Sequence, residues 1–539
     1  VLVARRRQER LVVELVPDED DDAAAAGAPS EPGEPGHAVS PARAALARWR
    51  GLTRRTRVLV AAGTAVAVLA VGGGAAVADA VGDHRRAVAM RTVAGGVTDL
   101  SVPPVQTWEA DVVPFGAVPV EGGAVVVRDG EDVLALDAAT GEERWRHRVG
   151  ESDDVAASCG RGSGDPSAPA AQVVCLAGTD GDLVATVITA DGAVLGSRDL
   201  GAVAQWGGGR DGDAEGLPQV IPVADDMLVV LEDPVDPTRT FDDLAGARAE
   251  LRRLREAGSL PAVRLDDALT GEVLARGEID LDVDGLDGDA LASCAVYQGA
   301  TATSPSLMQH SSVMPGAVWT TLCGAGVAVT TEGDVVEFES DDAWSIGRTD
   351  AGLVVPSPSG STLRTDDGDV ELPGRLMPAL VDDGSDDVLL VSEEAGGLRG
   401  VKRDGTVRWS TGSSGWVLAR AGGVGVALGG SDGSGGRDGP ELVGLDLSDG
   451  AERWRRHDVL PELTEDTSLV GVATDGVRVL LAVGRSDGFE LVAVDARTGA
   501  RVWHEAYDTG PLVNLTTVDG NLMMTTMEDG GGVLRGLAS

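Results

Sequence analysis

Aspartates alternate at Asp280, Asp282 and Asp284, with Gly285 behind them, a spacing that lets a calcium loop gather carboxylate oxygens. The twelfth position of such a loop is Leu291, where a bidentate glutamate would complete the shell. The segment therefore reads first as a solvated acidic loop and only second as a calcium site. Gly429-Gly430-Ser431-Asp432-Gly433 matches the nucleophile-elbow pattern, but that serine needs a following helix, and the flanks here are glycine-rich. The six histidines show no metal-ligand spacing and no P-loop is present, so no residue is assigned a catalytic role. The four cysteines are Cys159, Cys175, Cys294 and Cys323, none in CxxC. An even number in an exported domain points to two disulfides. Of three pairings, the sequence-local one, Cys159 with Cys175 and Cys294 with Cys323, is preferred because each would close a loop within one repeat. Each bridge would add about 3 kcal/mol on the loop-entropy account.

The elements that carry these residues follow a recurring phrase: a short apolar strand, Asp, two residues, Thr-Gly, three residues, Trp. It reads Asp137 to Thr140, Gly141 and Trp145, and again Asp495 to Thr498, Gly499 and Trp503; a third copy, Asp446, Gly450 and Trp454, has Asp449 in the threonine place. The aspartate can accept backbone N–H bonds in the turn, and glycine supplies the positive φ of the reversal. The tryptophan offers a flat surface that one small sheet cannot bury alone, so a second sheet must stack on it. Repetition about an axis then gives a propeller. Weaker copies keep Gly405 and Trp409, the turn at Gly271 with Ala275 in the tryptophan place, and the turns at Gly192, Gly333 and Gly368. Eight such turns predict an all-β fold: a β-propeller of about eight (alternatively seven) four-stranded blades. The longest spacing, Gly192 to Gly271, predicts an inserted helix, capped by Thr240 to Asp243, carrying Leu244, Leu251 and Leu254 on one face and stopped by Gly258.

On these motifs the chain resembles the PQQ-like β-propeller repeat family over roughly residues 105–539. That family includes the quinoprotein alcohol dehydrogenases and many relatives without a cofactor. The resemblance implies that Trp145, Trp409, Trp454 and Trp503 tie neighbouring blades together. Its enzyme branch holds pyrroloquinoline quinone (PQQ) in the central channel with a calcium ion and a catalytic aspartate, and its methanol-oxidising members add a disulfide between adjacent cysteines. No two cysteines are adjacent in this chain and no CxxCH is present. The expectation is a non-enzymatic member, with no cofactor assigned and PQQ with Ca2+ as the minority alternative.

Val58 to Ala78 carries no charge and is long enough, at helical rise, to span a hydrocarbon core. Six arginines between Arg43 and Arg57 crowd its upstream flank, so the positive-inside rule places residues 1–57 in the cytoplasm. That tail, acidic and then rich in Ala, Pro, Gly and Glu, reads as disordered. Ala76-Val77-Ala78 resembles a signal-peptidase site, but the tail is far too long for an ordinary signal peptide. The expected organisation is a cytoplasmic tail (1–57), one transmembrane helix (58–78), a stalk (79–104) and an extracytoplasmic propeller (105–539). A net charge of −43 excludes nucleic acid as a partner, since phosphate binding needs a basic footprint. The functional expectation is a single-pass, membrane-anchored binding or scaffolding module of a bacterial cell envelope, holding a protein or glycan ligand. A quinone-dependent oxidoreductase and a sensor signalling through the tail are the alternatives.

Overall fold

The computed structural model describes residues 84–538, apart from 94, 114–116, 150–157, 161–168, 206–216, 298–303, 340–345, 430–440, 461–467 and single or paired positions in turns. The expected tail, the apolar segment 58–78 and the serine pattern around Ser431 lie outside the described residues. Among the described residues no helix is long and apolar enough to cross a membrane.

Nine sheets form the ring, each built on a four-stranded antiparallel meander, and those of blades 3 and 7 add a two-residue parallel strand, Ala204–Gln205 and Val381–Asp382, on the inner edge. Blade 1 shows the plan: Val118–Val120 innermost, then Ala124–Asp129 and Asp132–Asp137, with Glu143–Arg148 outermost. Second and third strands are nearly continuous apolar runs, because they are covered on both faces by neighbouring sheets. Outer strands alternate instead. Blades 2 to 8 span 158–199, 219–278, 309–339, 347–372, 375–411, 415–456 and 468–507. Nine apolar clusters sit between consecutive sheets, the last joining blade 9 to blade 1, so the ring is closed.

The blade number corrects the sequence expectation of eight. All eight turns, including those at Gly333 and Gly368, do join third and fourth strands of blades. The ninth sheet has no such turn. Its inner three strands are Leu512–Val518, Asn521–Glu528 and Gly531–Ala538, and its outer strand is the N-terminal Val105–Val112, paired with the last. Counting turns misses the blade that the first and last strands of the propeller build together.

Residues 84–104 do not hang free as a stalk. Helix α1 (84–90) and the strap after it bury Met90, Val97 and Leu100 on the ring. Val97 N–H donates to Thr474 O (2.8 Å) and Thr98 N–H to Gly520 O (3.1 Å), crossing the first hairpins of blades 8 and 9.

The expected insertion is present between the second and third strands of blade 3 as α2 (Leu244–Ala257). Its N-cap is Asp243, whose side chain accepts from Gly246 N–H; the cap lies three residues later than the motif at Thr240 predicts. Gly258 ends it at φ 65°. Leu251 is buried, and Leu244 and Leu254 pack on the same cluster. A second excursion, between blades 3 and 4, holds α3 (Gly288–Cys294) and a small ribbon, Ala295–Tyr297 with Pro305–Leu307. In an antiparallel meander these two connections leave from one end of the sheet and the Asp-Thr-Gly turns from the other. The insertion and the turns therefore occupy opposite faces of the ring, and the strap shares the face of the turns.

Candidate functional site

Each intact turn is a pre-formed acceptor. Asp137 Oδ1 takes the N–H groups of Ala139 (3.0 Å) and Thr140 (2.9 Å) and the Thr140 hydroxyl, while Oδ2 meets Arg144 at 2.6 Å. The Arg144 guanidinium, with smaller help from Thr140, holds the Asp137 carboxyl below its usual range. Asp267 and Asp446 are also lowered, chiefly by the Thr270 N–H and by Ser448 respectively. Asp495 makes the same turn through Arg497 and Thr498.

The turn is also a socket for the tryptophan of the preceding blade. Trp145 Nε1–H donates to Ala190 O (3.0 Å), Trp409 to Leu447 O (2.8 Å), and Trp454 to Ala496 O (2.8 Å). The ring then stacks on the turn glycine. Gly450, at φ 73°, leaves no room for a Cβ against the Trp409 ring. Within its own blade each indole lies over a small residue of the third strand: Ala135 under Trp145, Gly400 under Trp409, Gly444 under Trp454 and Ala493 under Trp503. Trp503 serves the junction that lacks a turn, donating to Leu100 O of the strap at 2.8 Å.

Two participants escape the motif. Trp108, on the N-terminal strand, donates to Ala138 O at 3.1 Å and stacks on Gly141, completing the closing junction. A signal existed: Trp108 is the tryptophan missing from the last sheet. Arg198 substitutes at the junction of blades 2 and 3, its Nε–H reaching Ala268 O at 2.8 Å beside Gly271. Nothing in the spacing marks it, because it lies two residues beyond the tryptophan place, Gly196.

The remaining candidates are scattered. Asp280, Asp282 and Asp284 alternate with the buried Ile279, Leu281 and Val283, so their side chains face outward. Asp284 meets Arg252 Nε at 2.8 Å, and Asp282 is 3.8 Å from Arg255. These two carboxylates dock α2. Among the described residues no three His, Cys, Asp or Glu side chains converge as a metal shell. Cys159 is bonded to Cys175 across the first two strands of blade 2. Cys294 is bonded to Cys323, which ties the end of α3 to a turn of blade 4, between elements and not within one repeat.

The outer strands divide into two kinds. Blades 1 and 7 carry arginine ladders there, with Arg146 held by Asp129, Asp132 and Glu143, and Arg455 by Glu441 and Glu452. Blades 2, 3, 4, 6 and 8 expose aliphatic side chains at the corresponding strand starts: Val194 and Leu195, Val273 and Leu274, Val335, Val407, and Val502. On the inner strand of blade 7, Trp416 is 71% exposed.

A closed ring of tandem sheets keyed by tryptophan defines a propeller of the PQQ-like repeat class. The PQQ_2 family model, described as outer membrane protein assembly factor BamB, matches residues 47–218 and 358–536, more than half of the chain. The chain belongs to this family. Among solved structures, BamB from Moraxella catarrhalis is 14% identical with a TM-score of 0.39, covering 81% of this chain and 100% of its own. The computationally designed Ika8 protein is 13% identical with a TM-score of 0.33, over 79% of this chain and 100% of its own. The Cps50 (Swd1) propeller domain of Myceliophteria thermophila is 11% identical with a TM-score of 0.31, over 81% and 100%. No curated protein matches the chain.

Proposed function

We propose that this protein is a membrane-anchored scaffold of the cell envelope whose propeller holds a protein partner. One observation carries the reading. The ring keeps its tryptophan keys through blades 6 to 9 and on to blade 2, whereas the junctions of blades 3 to 5 lack them and blade 3 carries an inserted helix. The family match breaks over the same stretch, between 218 and 358. A frame that stays constant while one arc departs is the economy of a recognition surface on a rigid support. The family's description as an assembly factor agrees with a partner that is a protein.

Anchoring belongs to the proposal and rests on the uncharged run 58–78 and its arginine flank. Alkaline extraction that leaves the chain in the membrane pellet supports it; release into the supernatant sinks it. For the scaffold itself, photo-crosslinking side chains at Val335, Val273 and Trp416 in living cells should give discrete adducts at one of these sites. A chain that yields none at any of them is no scaffold. The oxidoreductase alternative predicts saturable heat when the full chain is titrated with PQQ and Ca2+; the scaffold reading predicts none.

A further inference from the structure

The outermost strand of blade 4, Val335–Glu339, is the last in its sheet, with no neighbour among the described residues beyond it. Its residues alternate exposed and buried: Val336 and Phe338 enter the cluster shared with blade 5, while Val335, Glu337 and Glu339 face outward. An open edge strand can receive a further strand unless it is bulged, covered or lined with charge that repels the incomer. The ladders of blades 1 and 7 balance arginine against carboxylate. Blade 4 has carboxylates without any basic residue in the strand. The facing strand of blade 3, Val273–Glu278, cannot supply one, because its Arg276 is held by Glu232 (2.7 Å) and Glu278 (3.2 Å).

The junction between these blades also lacks its key. Ala275 stands in the tryptophan place, and a Cβ on Gly277 would come 2.8 Å from Val335 Cγ1, so the two outer strands approach with only small groups between them. The approach leaves Val273 (51% exposed), Leu274 (46%) and Val335 (42%) as an apolar strip beside the acidic row.

We propose that the open edge of blade 4 receives an extended segment of a partner protein as a fifth strand. That segment carries an aliphatic side chain opposite Val335 and basic side chains at the alternate positions opposite Glu337 and Glu339. Main-chain hydrogen bonds to the edge supply the docking, and the two-residue period sets the register. Opposite charges directly across a strand pair stabilise it, and the excess of carboxylate selects a basic segment over an acidic one. The proposal rests on the scaffold reading and names where and what that scaffold holds.

The probe is a synthetic peptide in which valine and lysine alternate, titrated into the full-length chain in detergent and followed by fluorescence anisotropy. Saturable binding is expected, weakened about tenfold or more by Glu337→Lys with Glu339→Lys, and falling with added salt. The pair Asp487→Lys with Glu505→Lys, on blade 8, makes the same charge change elsewhere and should leave binding intact. Equal affinity in both double variants, or equal affinity for a peptide with its lysines in one block, overturns the proposal as general attraction to an acidic protein. Circular dichroism melts establish that each variant is folded. In cells, adducts from Val335 that persist at full yield in the Glu337→Lys, Glu339→Lys chain overturn the edge proposal and leave the scaffold standing. Absence of adducts at every site in the parent chain removes both.

Discussion

Two arcs of one ring solve the same packing problem differently. From blade 6 through blade 9 to blade 2, each junction packs an indole whose N–H caps a carbonyl in the next blade or, for Trp503, in the strap. From blade 2 to blade 6 the junctions are improvised. Arg198 reaches across at the first, Ala275 and Gly277 face Val335 at the second, Phe338 packs against blade 5 at the third, and Val370 sits near Gly405 at the fourth. A keyed junction specifies angle as well as area, since the indole must satisfy one hydrogen bond and one glycine contact together. Improvised junctions bury apolar surface without that constraint, which leaves their outer strands at liberty to change. The difference teaches that closure is secured on one side of the ring and variation tolerated on the other.

The contrast breaks most severely at the strap. Replacing residues 84–104 by a Gly/Ser linker of equal length removes the buried Met90, Val97 and Leu100 and the acceptor of Trp503. A loss of about 5–8 kcal/mol is expected from those three side chains and the lost bonds. Urea unfolding that matches the parent chain would show that closure does not depend on the strap.

Trp454→Ala comes next. It empties a nearly buried site between blades 7 and 8 and should cost about 3–5 kcal/mol. Arg198→Ala, the corresponding change in the improvised arc, should cost only about 1–2 kcal/mol, the worth of one hydrogen bond from a charged donor. Equal urea midpoints for the two variants would erase the distinction between the arcs. Gly450→Ala lies between them, at about 1–3 kcal/mol, because it strains a positive φ and drives a methyl into the Trp409 ring.

The smallest effect is on pH. The Asp137, Asp267 and Asp446 carboxyls are lowered in the folded chain, so their contribution is complete above the unfolded value, about 3.9, and is lost as pH falls through the folded value. Asp446→Asn should therefore destabilise the protein at pH 7 and much less at pH 2. A penalty that is independent of pH would show that the Asp446 turn is held by shape alone.

Legibility followed the same division. In the keyed arc the sequence carries almost everything, because a turn needs its Asp and Gly locally and the indole announces an unpaired flat surface. Trp108 was readable in principle, yet it stands more than four hundred residues from the sheet it completes. Arg198 was not readable, since an arginine on an outer strand resembles the solvated ladder residues Arg146 and Arg455 until its acceptor is located. The carboxylates at Asp282 and Asp284 looked like a ligand set, and proved to face the arginines of an inserted helix whose position only the fold reveals.

By itself the amino-acid sequence determined the repeating sheet, its turn chemistry, the inserted helix and the stacking role of tryptophan, since each follows from contacts within about fifty residues. Tertiary structure alone decided the ninth blade, the strap as part of the ring, the link from α3 to blade 4 and the unbalanced edge at Val335–Glu339. Those depend on which distant segments become neighbours when the ring closes, and closure joins the first and last strands of the propeller, which are too far apart in sequence for local pattern to link them.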